Sequence, residues 1–171
     1  PPVVCDSVSF PSFPSDALPR NTTMLTIQYT NISSITEQHL NRTLTDLREL
    51  HLFSNRIQNL GPHLLRGLPK LRALDLTDNQ LSVLPADVFS HAPLESLVLK
   101  NNQIEIASDE WLAENSRLTW LDLSGNRLTK IPATLFHNKV LLPETVVCAA
   151  PPALIGRSVM SLTESEIKMV A

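Results

Sequence analysis

The 171-residue sequence has no excess of positive charge: 14 Lys and Arg stand against 17 Asp and Glu, a formal net charge of −3. Binding a phosphate backbone needs a basic face, and this charge balance argues against nucleic acid as a partner. A long apolar run is also missing. The most apolar late stretch, Val140 to Gly156, is broken by Pro143, Glu144, Pro151 and Pro152. A spanning helix needs about 20 apolar residues, so no membrane span is expected. The sequence begins Pro1-Pro2-Val3-Val4, without Met and without a charged region before an apolar one. Either a signal peptide has been removed or the sequence is a fragment. Cysteine is scarce: Cys5 and Cys148 alone, near the two ends.

What the sequence does have is a 43% hydrophobic share, enough to bury a core, and a repeat. Leu47-x-x-Leu50-x-Leu52-x-x-Asn55-x-Ile57-x-x-Leu60 recurs from Leu71, from Leu94 and from Leu118, at steps of 24, 23 and 24 residues. A weaker copy precedes them, with Leu25-x-Ile27, Ile32 and Ile35, and with Thr30 at the Asn position. Leucines two apart point to one side of a strand. Neighbouring repeats then pair those strands into a parallel sheet. After each strand the chain turns, and Asn55, Asn79, Asn102 and Asn126 are placed to bond backbone groups left unpaired there. A further apolar pair closes each coil: Leu64-Leu65, Val88-Phe89, Trp111-Leu112 and Leu135-Phe136. One such unit cannot bury its leucines alone, whereas stacked units share a continuous core.

Two repeats carry Leu84-Pro85 and Ile131-Pro132, followed by Phe89 and Phe136. This form resembles the extracellular class of vertebrate leucine-rich-repeat proteins. The implied fold is an α/β solenoid, a leucine-rich-repeat horseshoe with a parallel sheet on its concave face and partial cysteine-containing caps. The expected division is 1–21 for a partial N-terminal cap, 22–139 for one degenerate and four full repeats, and 140–171 for a partial C-terminal cap or tail. The Cys5 to Pro19 segment looks like the second half of an N-terminal cap. Cys148 to Gly156 looks like the last piece of a C-terminal one. Further on, Thr163-x-x-Glu166 has the form of a capping box and predicts a short helix. About five strand spacings of roughly 4.8 Å separate the cysteines, too far for a disulfide unless the tail folds back.

The stretches Leu71 to Thr77, Leu97 to Gln103 and Leu121 to Leu128, and the tail from Cys148, resemble a plasma member of this family. That resemblance implies a secreted glycoprotein that binds an extracellular ligand or receptor and modulates growth-factor signalling of the transforming-growth-factor-β type. Acceptor sequons at Asn21, Asn31 and Asn41 fit an extracellular chain and mark candidate glycosylation sites. A matrix proteoglycan core would show a dense N-terminal cysteine cluster, which is absent. A fragment of a receptor ectodomain, a matrix protein, and a non-functional truncated isoform remain as alternatives.

Side chains facing away from the leucines line the concave face in three columns. The first is Met24, Glu49, Ala73, Ser96 and Trp120; the second Thr26, His51, Asp75, Val98 and Asp122; the third Gln28, Phe53, Thr77, Lys100 and Ser124. Phe53 and Trp120 are its aromatics. Each either packs on a neighbouring strand or serves as a binding anchor, since a rigidly held ring buries a large area at low entropy cost. Trp111, at a closing-pair position, is core. Glu49, His51, Asp75, Lys100 and Asp122 are the charged and titratable candidates for protein binding, and His51 is placed to pair with Asp75. Catalysis is not expected: Ser124 lies about 14 Å from His51 by strand spacing. Neither a cofactor nor a metal is expected, because His39, His51, His63, His91 and His137 fall at unrelated repeat positions. If the last repeat is left uncovered, its open end, or Cys5 and Cys148, offers a route to association between molecules.

Overall fold

The structure, a computed structural model, describes residues 1–10, 13–40, 44–113, 116–128 and 132, and the backbone of 146–148 and 168–169. The leucine pairs make its strands. Leu25 and Ile27 lie in and beside the same face of β2 (Met24–Gln28), and Leu50, Leu74, Leu97 and Leu121 occupy the centres of β4 (Glu49–His51), β6 (Ala73–Asp75), β7 (Ser96–Val98) and β8 (Trp120–Asp122). All six are buried, as are Leu52, Leu76, Leu99 and Leu123 that follow. The strands pair in parallel and in step, so that Met24, Glu49, Ala73, Ser96 and Trp120 are successive Cα partners. The first two columns expected from the sequence are therefore rows of Cα partners, from Met24 to Trp120 and from Thr26 to Asp122. A second, two-stranded parallel sheet joins β3 (Ser34–Ile35) to β5 (Asn59–Leu60).

The connecting segments are turns more than helices. Among the described residues the α-helix is the single turn α1 (Glu37–Leu40), accompanied by a 3-10 turn at Ser15–Ala17. The closing pairs Leu64-Leu65, Val88-Phe89 and Trp111-Leu112 are buried. Phe89 and Trp111 meet edge to face, with ring centroids 5.5 Å apart. Leu135, Phe136, Asn41 and the Thr163–Glu166 capping box lie outside the described residues.

The asparagines tie each coil to the one before it. Asn79 Nδ2 donates to the carbonyls of Leu76 and Thr77 in its own repeat and of Leu52 in the preceding one, while its Oδ1 accepts the Ile57 N–H. Asn102 and Asn126 repeat the arrangement one and two steps on. Thr30 stands in for the asparagine in part: its backbone N–H and its hydroxyl both donate to Asn55 Oδ1, and its hydroxyl oxygen accepts the Ile32 N–H.

The ends differ from the sequence reading in two respects. A strand within the first residues, β1 (Pro2–Asp6), pairs in parallel with β2 and sets Cys5 opposite Ile27. At the other end, β8 is not an open edge. The backbone of β9 (Val146–Cys148) runs along it, with Leu121 opposite Val146, and β10 (Lys168–Met169) pairs with β9 in turn. Association through an uncovered β8 is therefore corrected: its backbone groups already have a ladder partner.

Candidate functional site

The concave face is built from side chains that owe nothing to the core. On β4, Glu49 and His51 share one face. Their side chains pair, with Glu49 Oε1 3.4 Å from His51 Nε2. Phe53, half-buried just beyond the strand, presents its edge to the His51 ring at 6.2 Å. The expected His51–Asp75 pair is a correction. The two residues are Cα partners across β4 and β6, but the Asp75 carboxylate turns along its own chain. Its Oδ1 accepts the Thr77 N–H at 2.9 Å and the Thr77 hydroxyl at 2.6 Å. Asp122 does the same for Ser124 at 3.0 and 2.6 Å, and this buries Ser124. Both aspartates thus spend one oxygen on closing the turn that follows the strand.

Trp120 is 37% exposed at the start of β8, and Lys100 is exposed beyond β7. Phe53 and Trp120 stand three ladder steps apart, roughly 14 Å, in different columns. They do not form one cluster. The gathering lies instead at β4, where Glu49, His51 and Phe53 meet.

A further row went unread in the sequence. Ser7, Tyr29, Ser54, Asp78, Asn101 and Gly125, one per coil at the strand ends, all adopt positive φ between 55° and 69°. The turn demands that conformation, and Ser, Asp, Asn and Gly immediately before each asparagine are the signal that could have revealed it. From Ser7 to Asn101 each N–H in the row reaches the next coil: Ser7 donates to the Gln28 carbonyl, Tyr29 to Ser54, Ser54 to Thr77, Asp78 to Lys100 and Asn101 to Ser124. Tyr29 is the misfit. It is a bulky residue in the left-handed region and 62% exposed. It sits one place beyond Gln28, the residue that faces Phe53 when the β2–β4 register is continued. β1 adds Val4 to the second column, 64% exposed opposite Thr26.

Asn21 and Asn31 are exposed. Asn31 Oδ1 accepts the Phe10 N–H at 2.8 Å, which leaves the amide nitrogen, the atom a glycan would occupy, outside that bond. Cys5 is a half-buried free thiol, and its burial pushes the thiol pKa up. Among the described residues no three potential ligands gather to hold a metal ion, and no helix is long and apolar enough to cross a membrane.

The description "leucine rich repeat" matches residues 20–81 and 70–128. Curated proteins similar to this chain include Tsukushi of Gallus gallus, 35% identical over 54% of this chain and 26% of its own length. Opticin of Canis lupus familiaris is 34% identical over 60% and 30%. Epiphycan of Homo sapiens is 34% identical over 48% and 25%. The chain thus spans between a quarter and a third of the length of these relatives.

Proposed function

The chain belongs to the leucine-rich-repeat family, and from that premise we propose that it is a secreted glycoprotein that binds a protein partner on its concave face. The observation that carries this reading is the cluster on β4. Glu49, His51 and Phe53 are held by a rigid parallel sheet, half-buried and without core duty. Tyr29 stands exposed on the adjoining strand end. Ring side chains with a polar rim are what a binding anchor needs. Trp120 and Lys100 extend the surface toward β8. Asp75 and Asp122 contribute their second carboxylate oxygens.

The extracellular setting is supported by the relatives, which are extracellular leucine-rich-repeat proteins, and by the exposed sequons at Asn21 and Asn31. Members of this family typically act by binding and not by catalysis. The stretches Leu71 to Thr77, Leu97 to Gln103 and Leu121 to Leu128 resemble leucine-rich alpha-2-glycoprotein of vertebrate plasma. The finer proposal is therefore modulation of growth-factor signalling of the transforming-growth-factor-β type. The partial matches to opticin and epiphycan keep a matrix protein as the alternative reading.

The test is secretion behind a signal peptide, followed by surface plasmon resonance against transforming growth factor β and its receptor ectodomains. Phe53→Ala is expected to weaken binding by about tenfold or more, the size expected of a buried aromatic anchor. Trp120→Ala is expected to weaken it less, because that ring stands apart. Equal binding by the Phe53 variant would remove the concave face from the account. Absence of binding to every member of that set would end the growth-factor proposal and leave the general one.

A further inference from the structure

The opposite edge of the sheet carries a different chemistry. The residues that enter the strands, Arg48, Arg72, Glu95 and Thr119, form a row stitched by the backbone. Arg72 N–H donates to the Arg48 carbonyl at 2.8 Å, Glu95 to Arg72 at 2.7 Å and Thr119 to Glu95 at 2.9 Å. Two positions earlier in each coil stands an outer row, Asp46, Lys70, Pro93 and Arg117. Arg48, Lys70, Arg72 and Arg117 are all exposed. They line one open cleft of about 610 Å³, floored by Phe89, Leu94 and Leu112.

Their charges are poorly balanced. Lys70 Nζ is taken up by Asp46 Oδ1 at 2.8 Å, a bond that holds the Asp46 carboxyl below its usual range. His91 in the cleft wall faces Asp87 at 3.3 Å. The Arg48, Arg72 and Arg117 side chains make no hydrogen bond or ion pair with the described residues, although the Arg48 charge helps to lower the Asp46 carboxyl, and Glu95 is the one carboxylate among the described lining residues. Arg48 and Arg72 stand on neighbouring strands about 4.8 Å apart. Like charges so placed repel, and an anion lying along the row would relieve that repulsion.

We propose that this cleft is a binding site for a sulfated polysaccharide. The guanidinium fork matches the oxygens of a sulfate group two at a time. The cations recur along the rim of the solenoid, from Arg48 to Arg117, over about three strand spacings or roughly 14 Å. A linear chain with a charge on each unit suits that layout better than one compact anion. The net charge of −3 gives the whole molecule no long-range pull on polyanions, so binding is local and sensitive to Glu95. The site is separate from the concave cluster: it lies where strands begin, whereas Phe53 and Tyr29 lie where they end.

The probe is a fully sulfated heparin octasaccharide, titrated into the whole glycoprotein at 0.15 M salt. The wild-type protein is expected to bind, and to bind more weakly as salt rises. Arg48→Ala with Arg72→Ala, both exposed and therefore compatible with folding, is expected to lose about tenfold or more, since charge-assisted hydrogen bonds disappear. Arg117→Ala alone is expected to lose less. Glu95→Gln is expected to tighten binding, and Lys100→Ala, beyond the other end of β7, to leave it unchanged. The proposal is overturned if the wild-type protein does not bind. It is equally overturned if Lys100→Ala loses as much as the arginine pair, or if desulfated octasaccharide or a polyglutamate peptide binds as well.

Discussion

Asn79 shows how much one side chain does in this stack. Its amide reaches three carbonyls, two in its own repeat and Leu52 in the previous one, and its oxygen accepts the Ile57 N–H. The residue is buried, so water cannot replace what a truncation removes. Asn79→Ala strands the Ile57 N–H on the coil before it, while the Leu52 carbonyl keeps its bond from Asn55 Nδ2, and is expected to cost about 2 kcal/mol, read from urea unfolding. A cost below about 1 kcal/mol would mean that water enters the turn. Cys5 makes a second case. Burial disfavours its thiolate and raises its pKa, and the thiolate is the species that reacts. Iodoacetamide is expected to label Cys5 slowly at neutral pH, and to gain rate only at a pH higher than a free thiol requires. Rapid labelling at pH 7 would show that β1 opens.

At the scale of the element, the strand is the part that leucine spacing makes legible. Leu50 and Leu52, or Leu97 and Leu99, two apart on one face, suffice to place β4 and β7 and to set their register. The closing pairs were legible for the same reason: Trp111 is core, packed edge to face on Phe89. Trp111→Ala is accordingly expected to cost about 4 kcal/mol by calorimetry, the range for a large buried aromatic. Other features were not legible because they depend on which coil lies alongside or on how one side chain turns, neither of which leucine spacing fixes. β1 has no leucine pair, and its Val3 and Cys5 read as strand only once β2 lies beside them. The sequence marks Asp75 and Asp122 as binding candidates, and it does not reveal that a hydroxyl two residues on captures each carboxylate. Arg48, Arg72 and Glu95 share a row only through the ladder. The positive-φ row was written in the sequence as Ser54, Asp78, Asn101 and Gly125 and passed unread. At that row glycine is needed only at Gly125, where a Cβ would collide with Asn101 Oδ1. Gly125→Ala is expected to lose about 1–2 kcal/mol, from the left-handed backbone and that collision together. Asn101→Ala in the same chain is expected to restore the steric share.

At the scale of the whole molecule, the sheet order decides what can meet. The strands follow one another as β1-β2-β4-β6-β7-β8-β9-β10, and each coil touches only its neighbours, as in any solenoid. The stack therefore separates its chemistries in space: the Arg48 and Arg72 guanidinium groups where the strands begin, and Tyr29, Phe53 and the captured carboxylates where they end. The same order governs the two cysteines. Cys5 lies in β1 and Cys148 in β9, with six ladder steps between them, about 29 Å. A disulfide tolerates Cα atoms no farther apart than about 7 Å. No rotamer change closes such a gap, and closing it by unstacking would sacrifice the buried leucines of every intervening coil. Secreted protein is therefore expected to keep Cys5 and Cys148 apart within each molecule. In a non-reduced digest of the monomer fraction, mass spectrometry should find no peptide joining the two. Any disulfide present should run between molecules, in a dimer that reductant returns to monomer. A Cys5–Cys148 peptide in the monomer would overturn the strand order itself, because it would require the last strands to fold back onto the first.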